Sequence, residues 1–159
     1  MLKNINKNIK ILYVEDDEVA RENGIEYLQN FFAQIYEASD AIKALQLYEK
    51  YQPDIIITDI QMPKLNGLEF VQRIRQKDKK TKIIIITAFC EKDYLLKAIE
   101  LGLVKYLVKP VREKEFEEAL FLCVNSLQED SSNIVKLDVD SYFDTFNKNL
   151  ISNNEIVKL

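Results

Sequence analysis

Histidine is absent from all 159 residues. That absence removes zinc sites built on imidazole and every catalytic relay that passes a proton through a histidine. Cysteine is scarce: Cys90 and Cys123 have no metal-like spacing and suit a reducing compartment as small core or near-surface residues. No apolar stretch approaches the roughly 18 residues a spanning helix needs. The opening MLKNINKNIK also lacks the apolar middle of a signal peptide, so a cytoplasmic location away from any membrane is expected. Positive charge is in deficit, with 22 Lys and Arg against 26 Asp and Glu. Affinity for a nucleic-acid backbone comes from clustered cations, so this chain is not expected to grip DNA by itself.

What is present is a regular alternation from Ile9 to about Gln128. Apolar, largely β-branched runs occur at Ile11-Leu12-Tyr13-Val14, Ile55-Ile56-Ile57, Ile83 to Ile86 and Val104 to Val108, with a weaker one around Ala33 to Ala38. Such runs, bounded by polar residues, read as strands buried on both faces. Between them lie amphipathic segments: Ala20, Gly24, Leu28 and Phe31; Ala41, Leu45 and Tyr48; Leu68, Val71 and Ile74; and Phe116, Leu120, Cys123 and Leu127. The pattern predicts five βα units, hence an α/β domain with a parallel sheet covered on both sides. The domain is expected over residues 1–128, a polar linker over 129–133, and a short β-rich tail over 134–159. In that tail Val135, Leu137 and Val139 alternate with polar residues.

In an open parallel sheet, ligands bind beyond the carboxyl ends of the strands, so the residues ending each strand carry the functional signal. The first strand ends in Glu15-Asp16-Asp17, the third in Asp59, the fourth in Thr87-Ala88 and the fifth in Lys109-Pro110. Each has an ordinary explanation taken alone. Asp59 would be a solvated strand-end acid, Glu15 to Asp17 a helix cap, Thr87 a local backbone partner and Lys109 a chain reaching to solvent. Together they place three acids, a hydroxyl and an ammonium on one rim. Crowded carboxylates repel unless a cation neutralises them, and hard oxygen ligands with room for water suit Mg²⁺. An Asp oxygen there can attack a phosphoryl group, with Lys109 and Thr87 as donors to the transferred oxygens.

The strings ILYVEDDE, IIITDIQMPKLNGLE, IIIITA and KYLVKP, in this order and spacing, resemble the receiver domain of two-component response regulators. The resemblance covers about Ile9 to Gln128 and implies a flavodoxin-like, doubly wound, five-stranded (βα)5 fold. It implies that Asp59 accepts a phosphoryl group from a sensor histidine kinase. Glu15, Asp16, Asp59 and the backbone carbonyl of Gln61 would hold Mg²⁺, with Asp17 the alternative acid. Thr87 and Tyr106 would form a switch pair, Lys109 would pair with the phosphoryl group, and the Lys109-Pro110 bond would be cis. Such a domain is a phosphoacceptor switch and not an enzyme in the ordinary sense.

The switched surface implied is that of the fourth helix, fifth strand and fifth helix, through which a homodimer would form. The salt-bridging acids and arginines that winged-helix regulators carry there are not visible around Val104-Lys105 or in EKEFEEALFLCVNSLQ. The tail looks like the leading strands of a winged-helix effector, which would make DNA binding the task of a domain not complete in this chain. The alternative is a stand-alone receiver acting through protein contacts. A phosphatase with an Asp nucleophile generally wants a second acid two residues on, where this chain has Gln61. A flavin site would want a Ser/Thr- or Gly-rich phosphate loop after the first strand, and EDDE stands there.

Overall fold

The computed structural model of the protein describes residues 8–131. Within them five strands, β1 (Lys10–Val14), β2 (Gln34–Ala38), β3 (Ile55–Thr58), β4 (Lys82–Thr87) and β5 (Lys105–Val108), alternate with five helices, α1 (Glu18–Leu28), α2 (Ala41–Tyr51), α3 (Gly67–Arg75), α4 (Lys92–Glu100) and α5 (Glu113–Ser131). All strand pairs are parallel and the spatial order is β2-β1-β3-β4-β5, the flavodoxin-like arrangement. Its winding reverses between β1 and β3, which opens a crevice at their carboxyl ends.

The strands are apolar at nearly every position because both faces are covered, and alternate side chains go to opposite faces. Ile11, Tyr13, Ile55, Ile57, Ile84 and Ile86 pack with Leu28 of α1 and with Phe116, Leu120 and Cys123 of α5. Leu12, Val14, Ile56 and Ile83 pack instead with Ala41, Ala44 and Tyr48 of α2 and Phe70, Val71 and Ile74 of α3. On that second face Ile85 meets Leu68 of α3 and Ala98 of α4. Gly24 lets α1 approach the sheet, since a Cβ there would come within 2.3 Å of the Tyr13 hydroxyl. Ala44 is fully buried where the spacing favoured Leu45, which is half-buried. An alanine brings α2 closer to the sheet than a leucine would.

Three helices begin on short polar caps. Asp17, Asp40 and Asn66 each accept a backbone N–H three residues on, from Ala20, Lys43 and Glu69, at 2.8 to 2.9 Å. Helix α4 differs: Glu91 makes no side-chain cap bond and Ala98 is its buried residue. Its other end is fastened, because Arg75 of α3 donates through Nε to the Leu101 carbonyl at 2.7 Å and through Nη2 to that of Gly102 at 3.2 Å. Helix α5 continues to Ser131, three residues into the stretch expected to be linker. Asp130 anchors this last turn by pairing with Lys82 of β4 at 2.8 Å. The expected β-rich tail, 134–159, lies outside the described residues.

At the end of the sheet away from the crevice, Asp78 ties α2 to the β4 entry. Its carboxylate accepts from the Tyr48 hydroxyl at 2.7 Å, from the Lys80 and Thr81 backbone N–H groups at 2.8 and 3.1 Å, and from the Thr81 hydroxyl. Burial works against the charge, but the bonds from Thr81, Tyr48 and Lys80 outweigh it and pull the Asp78 carboxyl from 3.8 down to about 2. Because folding lowers this pKa, the carboxylate's stabilisation is complete above the unfolded value and fades as pH falls toward the folded one. Asp78→Asn is therefore expected to lower the urea midpoint at pH 7. The two proteins should converge between pH 3.8 and about 2; a gap constant over that window would refute a charge-based tie.

Candidate functional site

The crevice is built from chain ends whose backbones are fixed by the sheet itself. The Glu15 N–H donates to the Ala38 carbonyl at 3.1 Å, the Asp59 N–H to Val14 at 3.2 Å, and the Lys109 N–H to Thr87 at 2.8 Å. These bonds carry the parallel ladder one residue past each strand, so side chains expected at the rim are delivered there as a group. Lys109 Nζ lies between two carboxylates, 2.8 Å from Glu15 Oε2 and 2.9 Å from Asp59 Oδ2. Both acids are nearly solvent-free, at 3% and 7% exposure, which makes the ammonium essential to their burial. The Lys109-Pro110 bond is cis.

Glu15, Asp16 and Asp59 each offer an oxygen such that all three lie within 4.8 Å of one another; Asp16 is exposed and the other two are buried. Three acids against one ammonium leave the cluster short of positive charge. Burial pushes the Glu15 carboxyl up, and the neighbouring Asp59 adds to this, while Lys109 works in the opposite sense. Burial also disfavours the Lys109 ammonium, yet its bonds to Glu15 and Asp59 prevail and hold its pKa above the usual lysine value. A set of hard oxygen donors with residual negative charge fits a divalent cation.

The remaining expected residues surround this cluster. The Gln61 N–H donates to Asp59 Oδ1 at 3.0 Å, so each Asp59 oxygen has one fixed donor. Thr87 is fully buried at the end of β4, and its hydroxyl accepts from the Phe89 N–H at 3.3 Å. That is the hydroxyl's one hydrogen bond among the described residues, leaving the O–H proton to be donated. Tyr106 is half-buried on β5 and its hydroxyl donates to the Phe89 carbonyl at 2.6 Å. Thr87 and Tyr106 thus hold opposite sides of one residue, Phe89. Asp17 caps α1, and its N–H also donates to Glu15 Oε1 at 3.2 Å, so this acid serves the site through its backbone.

Several contributors were not legible in the sequence. Gly67 contributes through close contact. Its N–H donates to the Ile60 carbonyl at 2.8 Å, and a Cβ would stand 1.9 Å from the Asp59 carbonyl oxygen. The α3 entry is pressed against the loop that carries Asp59, and only a hydrogen fits between them. Arg21 on α1 donates to the Glu15 carbonyl at 2.9 Å and pairs with Glu37 at 3.4 Å, fixing the acidic loop from outside. Of the cysteines, Cys123 is buried, with burial pushing its thiol up to about 12, and Cys90 is exposed.

Removing the ammonium tests the electrostatic account. Lys109→Met leaves two buried carboxylates facing each other and is expected to cost about 1–3 kcal/mol in urea unfolding. Adding Glu15→Gln removes one of the repelling charges and should recover a measurable part of that loss. Additive losses in the double variant would mean that Lys109 does not neutralise Glu15.

Comparison with known proteins agrees with this geometry. The model of the response regulator receiver domain matches residues 11–121. An uncharacterized response regulatory protein of Staphylococcus epidermidis is 30% identical over 150 residues, spanning 84% of this chain and 59% of its own. The transcriptional regulatory protein BtsR of Salmonella typhi is 38% identical over 114 residues, covering 70% of this chain and 46% of its own. The chain thus spans about half the length of these curated relatives. The crystal structure of the N-terminal domain of an uncharacterized Wolinella succinogenes protein superposes with a TM-score of 0.72 at 40% identity, over 78% of this chain and 99% of that one. The chemotaxis protein CheY4 of Vibrio cholerae superposes with a TM-score of 0.66 at 29% identity, over 71% and 96%. A sheet in this order, an acidic crevice bridged by Lys109 and a family match across most of the described residues lead to one assignment: the chain belongs to the response regulator receiver domain family of two-component signalling.

Proposed function

We infer that this chain is a phosphoacceptor switch in which Asp59 takes a phosphoryl group from a phosphohistidine on a partner kinase in the cytoplasm. The observation that carries this reading is the buried Asp59 carboxylate, fixed by Gln61 N–H on one oxygen and Lys109 on the other. A carboxylate oriented in this way is prepaid in entropy for attack. One Asp59 oxygen forms a bond to phosphorus as the phosphorus–nitrogen bond breaks, and the departing imidazole keeps that electron pair. Lys109 moves from carboxylate to phosphoryl oxygen over a short distance, so the cluster keeps its ion pair. Mg²⁺ held by Glu15, Asp16, Asp59 and the Gln61 carbonyl would neutralise the clustered acids and the phosphoryl oxygens.

The transferred group adds negative charge next to a hydroxyl whose proton is free to be donated. Thr87 then turns toward a phosphoryl oxygen and releases the Phe89 N–H. Phe89 is also the acceptor for Tyr106, so the loop after β4 carries the change to the α4–β5–α5 face. That face includes exposed Leu96, Ile99 and Val108, which would bury apolar area in a homodimer. Control of transcription would run through an effector beginning in residues 134–159, read as leading strands of a winged helix. Receivers that act by protein contact alone would use the same face.

Intact mass spectrometry after incubation with Mg²⁺ and acetyl phosphate tests the chemistry. The parent should gain one phosphoryl group and Asp59→Asn none; equal labelling of both would place the acceptor elsewhere. Thr87→Ala and Tyr106→Phe should still accept the group. Both should lose the phosphorylation-dependent change in hydrogen exchange over residues 88–92. Retention of that change in both variants would remove them from the switch.

A further inference from the structure

The cations of this acidic chain are unevenly placed. Residues 73–82 hold six of its 22 Lys and Arg and one of its 26 Asp and Glu, so 16 cations face 25 acids elsewhere. Within that stretch Arg75 is spent on backbone carbonyls, Lys77 pairs with Glu49, and Lys82 pairs with Asp130. Arg73, Lys79 and Lys80 are exposed and make no ion pair among the described residues. Lys79, Lys80 and Lys82 line a cleft of about 600 Å³ together with Asp54, Leu127 and Asp130. The two acids there are already engaged, Asp54 by the Lys10 N–H at 2.9 Å and Asp130 by Lys82 at 2.8 Å. The cleft therefore offers two ammonium groups without an ion-pair partner among the described residues, beside the apolar Leu127. It lies at the end of the sheet away from Asp59.

The chain leaves the described domain at this cleft, because Asp130 is the penultimate residue of α5. Within residues 135–144 the charge is acidic: Asp138, Asp140 and Asp144 stand against Lys136, with Val135, Leu137 and Val139 interleaved. Asp138 stands eight residue steps beyond Asp130, and an extended chain of that length reaches roughly 25 Å, ample to turn back onto the cleft. A tether this short sets an effective concentration on the order of millimolar, so contacts too weak to hold a free peptide can hold this one.

We propose that the cleft between the α3–β4 turn and the end of α5 seats this chain's own acidic segment, residues 135–144, through pairing of its aspartates with Lys79 and Lys80. The contact would fix how the domain presents any segment attached beyond it. The proposal stands apart from phosphoryl transfer at Asp59 and does not depend on it.

Lysine acylation of the full chain, read by peptide mass spectrometry, tests it, with exposed Lys97 of α4 as internal reference. At low salt Lys79 and Lys80 should react roughly fivefold more slowly than in the Asp138→Asn, Asp140→Asn, Asp144→Asn variant, as expected for two or three tethered surface pairs. The difference should vanish in about 0.5 M salt, where exposed charges are screened. Conversely, Lys79→Glu with Lys80→Glu should speed proteolytic cleavage after Lys136 several-fold while leaving the thermal midpoint unchanged. Equal acylation of parent and variant would overturn the proposal. So would protection that rises with protein concentration, which would assign the cleft to a second copy's acids, or protection that survives the aspartate changes.

Discussion

The ammonium of Lys109 is the interaction on which the rest of the rim depends. It joins the ends of β1, β3 and β5 through Glu15 and Asp59, and it makes tolerable the burial of two carboxylates that would otherwise repel. The sheet supplies the positions, since its ladder bonds extend one residue past each strand and bring these chain ends into one plane. The lysine supplies the charge balance, though only in part. Three acids around one ammonium hold net negative charge in reserve, which is why the cluster suits a dication.

Much of this was legible because strand ends in a parallel sheet are few and their polar residues conspicuous. The isoleucine runs located β1, β3 and β4, and the residues after them, Glu15, Asp16, Asp59 and Thr87, fell at the crevice without further assumptions. The parts that were not legible act through backbone or shape. Phe89 matters through its N–H and carbonyl, which any residue but proline would provide, so its identity carries little signal. Gly67 matters through the absence of a Cβ against Asp59 O, a contact that exists only after folding. Asp78 and Arg75 sit in a run of cations that reads as a solvated surface, while their partners Tyr48, Leu101 and Gly102 are distant in sequence. The end of α5 was misjudged for a related reason: Glu129 and Asp130 read as linker until Lys82 pairs with the second of them.

The two ends of the sheet are separate chemical environments. The carboxyl end gathers acids, and the opposite end gathers lysines around the Asp78 tie. Between them lies a sheet apolar on both faces, through which no chain of polar groups runs among the described residues. In the proposed switch, a change at the crevice would pass along the loop after β4 to the helix beyond it.

That helix is held unequally along its length. Arg75 pins the Leu101 and Gly102 carbonyls just beyond α4, whereas Glu91 at the other end lacks a side-chain cap. A rod fastened at one tip behaves as a lever. With nine residues at 1.5 Å of rise the arm is about 13 Å, so a swing of roughly 10° about the pinned tip carries the free one about 2 Å. In the proposed switch the arginine would act as a fulcrum: a small adjustment at Phe89 would become a graded displacement along the exposed side of α4, greatest beside the crevice and least at the far tip.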